Sequence, residues 1–420
     1  MAASAPRAPA PSGLFGWWHA GTPEGRRALV AAGLGWMLDS FDVMLYALVL
    51  ASLMSDLGMS KETAGLLGSL TLLSSAAGGV AFGVLADRFG RTRALMASVL
   101  IYSVFTAACG FAQTVAQLAV FRVLLGIGMG GEWASGAALV SETWPAEHRG
   151  KALGLMQSAW AIGYGAAALA TMIVLPRWGW RAVFFIGILP AFFTLWIRRH
   201  VREPAIWQEV RVRGAERRVR FRDIFGPGLL SLTVPLTFMN ACTMFGWWGF
   251  NLWLPGYLSL PAAEGGMGFS AATMAAFVAA MQVGMWFGYV TFGFVSDAIG
   301  RKRAYILYTS LAAGLILVYL SVRHPVALLL LGPVVAFFAT GYFSGFGAVT
   351  AEIYPTSIRA SAQGFTYNIG RVASAAAPFA VGSLAQTRGF QTALSLTAAA
   401  FVAAAVTWVW IPETKGRELA

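Results

Sequence analysis

The chain has 420 residues, of which 58% are hydrophobic and only 11% charged, and its mean hydropathy is +0.66. A soluble domain carries roughly 25% charged residues, so a soluble enzyme is excluded and a polytopic membrane protein expected. The formal net charge of +12 would suit a nucleic-acid binder only if it were gathered on one face, and the basic residues instead fall in the connections between apolar segments.

In chain order, residues 1–27 are rich in Ala and Pro and read as a mostly disordered tail with an interfacial anchor at Trp17 and Trp18. No cleavable signal peptide is expected, because the apolar stretch that follows is too long for one and is succeeded by others. Apolar segments fall at about 28–55, 62–86, 92–112, 115–143, 149–175, 180–198, 228–260, 271–296, 303–322, 325–353, 359–385 and 389–411. Segments this long and apolar close their backbone hydrogen bonds in lipid only as helices. The predicted fold class is therefore an all-α membrane protein with twelve transmembrane helices in two six-helix bundles, 28–198 and 228–411. A basic linker at 199–227 joins them, and a short tail at 412–420 follows.

Of 30 Lys and Arg residues, 23 lie in the two tails and the even-to-odd loops. The opposite loops hold Lys61, Arg177, Arg181, Arg323 and Arg388. The positive-inside rule then places both termini in the cytoplasm and the chain, as a multi-pass protein, in the plasma (inner) membrane. The basic linker is expected to lie on the anionic inner leaflet, making lipid a partner and nucleic acid not one. Cys109 and Cys242 sit inside apolar segments, so no disulfide, metal site or cofactor is indicated. His19, His148, His200 and His324 all map to loops or the tail.

The chain repeats itself 210 residues on. Gly83-Val-Leu-Ala-Asp87-Arg88-Phe-Gly90-Arg91-Thr-Arg93 returns as Gly293-Phe-Val-Ser-Asp297-Ala-Ile-Gly300-Arg301-Lys-Arg303. Glu142, Pro145, Arg149 and Gly154 return as Glu352, Pro355, Arg359 and Gly364. Parallel repeats of this kind belong to transporters that rock two bundles about a midplane site. On its own physics, the first loop uses Gly83 and Gly90 for close helix approach and a tight turn, and Asp87 to stabilise a helix N-terminus. Its spacing, place and duplication resemble the signature loop of the major facilitator superfamily. That resemblance implies a gating role for Gly83, Asp87, Arg88, Gly90, Arg91, Glu142, Arg149, Asp297, Arg301, Glu352 and Arg359. Ala298 stands where the first copy has Arg88.

Five ionisable residues remain inside predicted spans: Asp39, Asp42, Arg122, Glu132 and Arg371. Each opposes insertion by roughly 2.5–3.5 kcal/mol at a helix centre, a cost that marks function. Positions 210 residues away hold Gly249, Leu252, Gly332, Tyr342 and Ala161, so the two halves share scaffold but not midplane chemistry. Asp39 and Asp42 share a helix face, and Arg122 lies near the depth of Asp42, where the two can pair. An acid that changes protonation as a cavity opens, beside an Arg whose planar fork holds a carboxylate, makes a proton symporter of an organic anion. Asp39, Asp42 and Glu132 are the proton-coupling candidates. Arg122 and Arg371 are the carboxylate-binding candidates, with Trp248, Asn251, Tyr367 and Asn368 lining the cavity.

Local motifs sharpen the resemblance. Asp39-Ser-Phe-Asp42 is similar to the first-helix D-G-x-D of proton-coupled aromatic-acid transporters, with Ser40 for the glycine. Arg122-Val-Leu-Leu-Gly126-Ile-Gly128-Met-Gly130-Gly131-Glu132-Trp133 is similar to the sialate and monocarboxylate proton symporters. These families imply that the first-helix acids and the fourth-helix Arg matter for transport. The lactate-permease His and Asp of helix seven are missing; Asn240 and Asn251 are the strongly polar residues there. The Gly126–Gly131 run has the look of a dinucleotide fingerprint, but inside a membrane helix it predicts close packing. The function expected is proton-coupled uptake of a small organic anion (a monocarboxylate, sialate or aromatic acid) by alternating access. The alternative is a proton-driven exporter of drug-like cations on the same fold.

Overall fold

The computed structural model describes residues 16–145, 148–203, 225–226, 228–354 and 359–415. Its first half contains helices α1 (Gly16–Ala20), α2 (Pro23–Leu57), α3 (Lys61–Phe89), α4 (Arg91–Cys109), α5 (Val115–Thr143), α6 (Arg149–Ile186) and α7 (Leu189–His200). The second half contains α8 (Leu230–Ser259), α9 (Ala271–Ile299), α10 (Arg301–Ser321), α11 (Pro325–Thr340), α12 (Phe346–Ile353), α13 (Arg359–Ser374) and α14 (Ala376–Thr407). Short 3-10 turns at Ala262–Glu264 and Gly341–Gly345 complete it.

Helix starts follow side-chain chemistry, because the first backbone N–H groups of a helix need acceptors from outside it. The Thr22 hydroxyl accepts from Gly25 N at 3.0 Å, with Pro23 at the first turn. Ser60 and Ser270 hydroxyls, 210 residues apart, cap α3 and α9 in the same way at 3.1 Å. The first membrane helix thus begins at Pro23, five residues before the expected boundary. Trp17 and Trp18 are half-buried, and both rings pack on Trp144 just past the end of α5, 5.4 and 6.1 Å between centroids.

Among the described residues, nine helical stretches are long and apolar enough to cross a membrane. Two of them, Gly150–Ile197 and Gly364–Thr407, are about twice the length one crossing needs. Each contains a glycine in the left-handed region, Gly179 at φ 74° and Gly389 at φ 80°, which break the rods at positions 210 residues apart. The outer faces carry exposed Leu73, Ile173, Phe287, Leu330 and Val402, an apolar surface that lipid tolerates and water does not.

Glycines set the helix spacing. A Cβ on Gly78 would lie 2.2 Å from the Ile127 carbonyl oxygen, and one on Gly288 2.4 Å from that of Phe337, again a pair related by 210 residues. Gly130 faces the Ser75 carbonyl at 1.9 Å on the same measure. The Gly126–Gly131 run is therefore helix packing, as small residues in membrane interfaces serve. Gly83 differs from expectation: its missing side chain faces open space, as does that of Gly293, so neither brings helices together.

The two halves meet along α6 with α9 and α3 with α14. At one end they are stitched by Lys61 N to Gln386 Oε1 (3.1 Å), Lys61 Nζ to the Glu264 carbonyl (2.9 Å) and Phe379 N to Ser69 Oγ (3.1 Å). A cavity of about 630 Å³, lined in part by Met54, Lys61, Glu264 and Gln386, lies at this seam.

Candidate functional site

All five membrane-embedded ionisable residues are buried, none more than 5% exposed, so none faces lipid. Burying charge without partners is costly, and an unsatisfied buried polar atom costs about 1–3 kcal/mol. Asp39 Oδ2, both oxygens of Asp42, both of Glu132, and Nε and Nη1 of Arg122 have no hydrogen-bond partner in the protein.

Three of the five form one electrostatic group built from both halves. Arg371 on α13 acts on Asp39 of α2 and on Glu132 of α5, and the two acids act on each other. Glu132 is held by contact with glycine: a Cβ on Gly35 would lie 2.6 Å from its Oε1, and one on Gly136 3.5 Å. Arg371 is oriented by Tyr367 one turn earlier, whose ring centroid lies 5.4 Å from the guanidinium carbon. Gly79 on α3 is the surface against which α13 rests, with a Cβ there 3.6 Å from Asn368 Oδ1 and 3.9 Å from Arg371 Nη1. Among the described residues no salt bridge joins them, so the guanidinium acts on the two carboxylates at longer range, and Asp39 Oδ2 and both Glu132 oxygens keep no hydrogen-bond partner.

Asp42 and Arg122 form a second group within the first half, but not the expected ion pair. The Arg122 guanidinium stacks on the Tyr46 ring at 4.0 Å, one helical turn beyond Asp42, and Cys109 lies within the fields of both. The Tyr46 hydroxyl donates to the Ala64 carbonyl at 2.8 Å, which locks the ring. The Thr106 hydroxyl near Asp42 donates to the Tyr102 carbonyl at 2.8 Å, so it has no proton left for the acid. Cation–π stacking has taken the place of the salt bridge.

The predicted cavity residues divide. Asn251 spends its amide N–H on the Trp247 carbonyl (3.0 Å), and its own carbonyl receives the Tyr164 hydroxyl (3.3 Å), a contact between halves. Asn368 donates to the Gly364 carbonyl at 2.9 Å and turns its oxygen toward Gly79. Trp248 belongs to a cluster that sequence reasoning missed. Trp36 and Trp160 have centroids 4.6 Å apart, Trp160 lies 5.8 Å from Trp247 and 6.1 Å from Trp248, and the last two are 4.9 Å apart. Trp36 stands one turn before Asp39, the signal that would have found it.

The repeated loops carry matched ion pairs. Arg91 reaches Glu142 at 3.0 Å, and Arg301 reaches Glu352 at 3.1 Å. Arg301 also pairs with Asp297, while Arg88 is exposed. Gly90 and Gly300, at φ 113° and 101°, make the expected tight turns. Glutamates from elsewhere in the chain sit at the N-termini of the helices that follow. Glu203 receives Thr92 N and Arg93 N, both at 3.2 Å, and Glu413 receives Arg301 N at 2.8 Å and Lys302 N at 3.2 Å. These two glutamates are 210 residues apart and extend the repeat beyond its recognised motif. The side chains of Asp87, Arg149 and Arg359, and the linker from 204 to 224, lie outside the described residues.

A family model described as Major Facilitator Superfamily matches residues 32–264 and 257–420. The chain belongs to the major facilitator superfamily. It is 33% identical to a probable 4-methylmuconolactone transporter of Cupriavidus pinatubonensis over 411 residues, covering 96% of this chain and 94% of that protein. It is 31% identical to the sialic acid transporter NanX of Escherichia coli over 391 residues, 92% and 94% of the two chains. Among solved structures it resembles the xylose transporter XylE of E. coli in a partially occluded inward-open conformation, with TM-score 0.76 at 20% identity, over 95% of this chain and all of that one. This facilitator is thus an all-helical membrane transporter and not an enzyme.

Proposed function

We propose that this protein takes up a small organic anion together with protons by alternating access across the plasma membrane. The observation that supports the reading is that Arg371 of one half, itself buried, lies within electrostatic reach of the buried Asp39 and Glu132 of the other. One guanidinium cannot neutralise two carboxylates and also hold a substrate's carboxylate. Protonation of the acids releases the Arg371 fork, and the anion then occupies it through paired, charge-assisted hydrogen bonds. Proton and anion enter as a unit because each removes the charge imbalance the other creates. The similarity to transporters named for a muconolactone and for sialic acid supports an organic acid as the cargo.

The same reading counts twelve crossings. The nine apolar stretches become eleven when the two broken at Gly179 and Gly389 are each taken as two, and α8, whose tryptophans, prolines and asparagines lower its hydropathy, is the twelfth. Both termini then face the cytoplasm, the end stitched by Lys61 faces outward, and the basic linker lies on the inner leaflet. A drug-cation exporter fits less well, since Arg371 beside the acids repels a cationic cargo.

The test is uptake of labelled benzoate and N-acetylneuraminate into proteoliposomes under an imposed pH gradient. Asp42→Asn is expected to abolish concentrative uptake, and Asp39→Asn to uncouple uptake from the gradient. Full gradient-driven uptake in both variants would discard these residues as the coupling site.

A further inference from the structure

We propose that Trp36, Trp160, Trp247 and Trp248 grip the body of the transported anion and select a flat, unsaturated acid bearing a further acceptor oxygen. The proposal rests on the organic-anion reading above and adds which acids are preferred and which residues choose them.

The four indoles come from three helices and from both halves of the molecule: Trp36 on α2, Trp160 on α6, and Trp247 and Trp248 on α8. They lie beside the charge group. Trp36 is one turn before Asp39, and the Trp160 carbonyl accepts the hydroxyl of Ser40, the residue next to Asp39, at 2.8 Å. All four are at least nine-tenths buried.

Packing alone does not explain their polar edges. The indole N–H groups of Trp36, Trp160 and Trp247 find no acceptor in the protein. Elsewhere in the molecule, buried indoles are satisfied: Trp144 donates to the Gly25 carbonyl and Trp253 to the Pro378 carbonyl, both at 2.8 Å, and Trp180 donates to Asp56 at 3.1 Å. Trp408 also lacks an acceptor, but it stands alone against Tyr305 at the far end of α14. Three unsatisfied donors gathered in one cluster, one turn from the acids, form a group rather than a stray defect.

Indole nitrogen donates and never accepts, so the polar edges of the cluster recognise acceptor oxygens. Its remaining surface is aromatic face, which suits a planar π-system at 4.5–7 Å centroid distances, about the spacing the rings already keep with one another. The contacts of Trp160 with Trp247 and Trp248 cross between the halves. Parting the halves therefore uncovers ring faces and N–H groups together, with Trp36 one turn from Asp39, an acid on which Arg371 acts. A polyhydroxylated sugar acid has no planar π face to offer these rings.

The experiment is equilibrium binding of radiolabelled benzoate, 2,5-dihydroxybenzoate and N-acetylneuraminate to the full chain in lipid nanodiscs. Wild type is expected to bind the dihydroxybenzoate about fivefold or more tighter than benzoate, and N-acetylneuraminate weakest. Trp160→Phe and Trp247→Phe keep a ring but lose the N–H, and should bring the ratio of the two benzoates close to one. Trp408→Phe, remote from the cluster, should leave that ratio at its wild-type value. Trp36→Phe serves as a second reading should either variant fail to fold, and benzoate binding itself reports folding. Phe variants that retain the wild-type ratio, or a wild type that prefers N-acetylneuraminate, overturn the proposal. If Arg371→Ala abolishes binding while the ratio survives every Trp→Phe change, the indole assignment alone falls. If wild type binds none of the three acids, the organic-anion reading falls and takes this proposal with it.

Discussion

Arg371 is the residue on which most depends, because its charge acts on both Asp39 and Glu132. Its value over lysine is the planar fork, held over the Tyr367 ring. Arg371→Lys keeps the charge and should still fold, yet weaken carboxylate binding about tenfold, a loss of ~1.4 kcal/mol, as read by substrate titration in nanodiscs. An unchanged affinity would reassign the fork. Arg122 shows the reverse situation. The sequence placed it level with Asp42, but its partner is the Tyr46 face, which depth along a helix cannot reveal.

Helix contacts are set by where a side chain is missing. At Gly130 a Cβ would collide with the Ser75 carbonyl and the Gly79 amide, at 1.9 and 2.4 Å, and backbone cannot move aside cheaply. Gly130→Val should therefore destabilise by about 1–3 kcal/mol or more, seen as a lower midpoint of thermal unfolding in detergent. Gly83→Ala should leave that midpoint unchanged or raised, since Gly83 faces open space and alanine is the better helix former by up to about 1 kcal/mol. The loop glutamates add a pH signature. The Glu413 side chain is exposed, and the slight desolvation that works to raise its pKa is outweighed by hydrogen bonds from the N–H groups of Lys415, Arg301, Lys302 and Thr414, which hold it below the usual range. A lowered folded-state pKa gives stability that is present above the unfolded value, about 4.3, and is lost as pH falls through the folded one. Thermal unfolding followed from pH 7 downward should show that loss in wild type. In Glu413→Gln the acid-dependent part should shrink, with lower stability at neutral pH.

As a whole, the molecule is two halves with a close seam where α3 meets α14. There a Cβ on Gly382 would lie 2.5 Å from the Lys61 carbonyl oxygen, and one on Gly65 2.3 Å from that of Pro378. Gly382→Leu wedges this seam. In the alternating-access reading, the wedge shifts the population toward the state open at the Lys61 end by about tenfold, the equivalent of ~1.4 kcal/mol. Ala385, which lines the cavity at the seam, reports the shift when replaced by cysteine. A membrane-impermeant thiol reagent should modify Ala385→Cys faster in the Gly382→Leu background, and transport should fall. Equal labelling rates in the two backgrounds would show that the seam does not control the opening.

Composition and periodicity were enough for the membrane class, the all-helical fold and the duplication, because lipid admits few backbone solutions and a 210-residue repeat is visible without coordinates. The five costly side chains were legible for the same reason: charge inside an apolar run stands out. What one dimension hides is which of them meet. Arg371 comes within electrostatic reach of Asp39 and Glu132 where α13 packs against Gly79, and the capping by Glu203 and Glu413 joins residues 110 or more positions apart. Of the indole cluster the sequence singled out Trp248 alone, because only packing across the halves brings Trp36, Trp160 and Trp247 with their unsatisfied N–H groups together beside it.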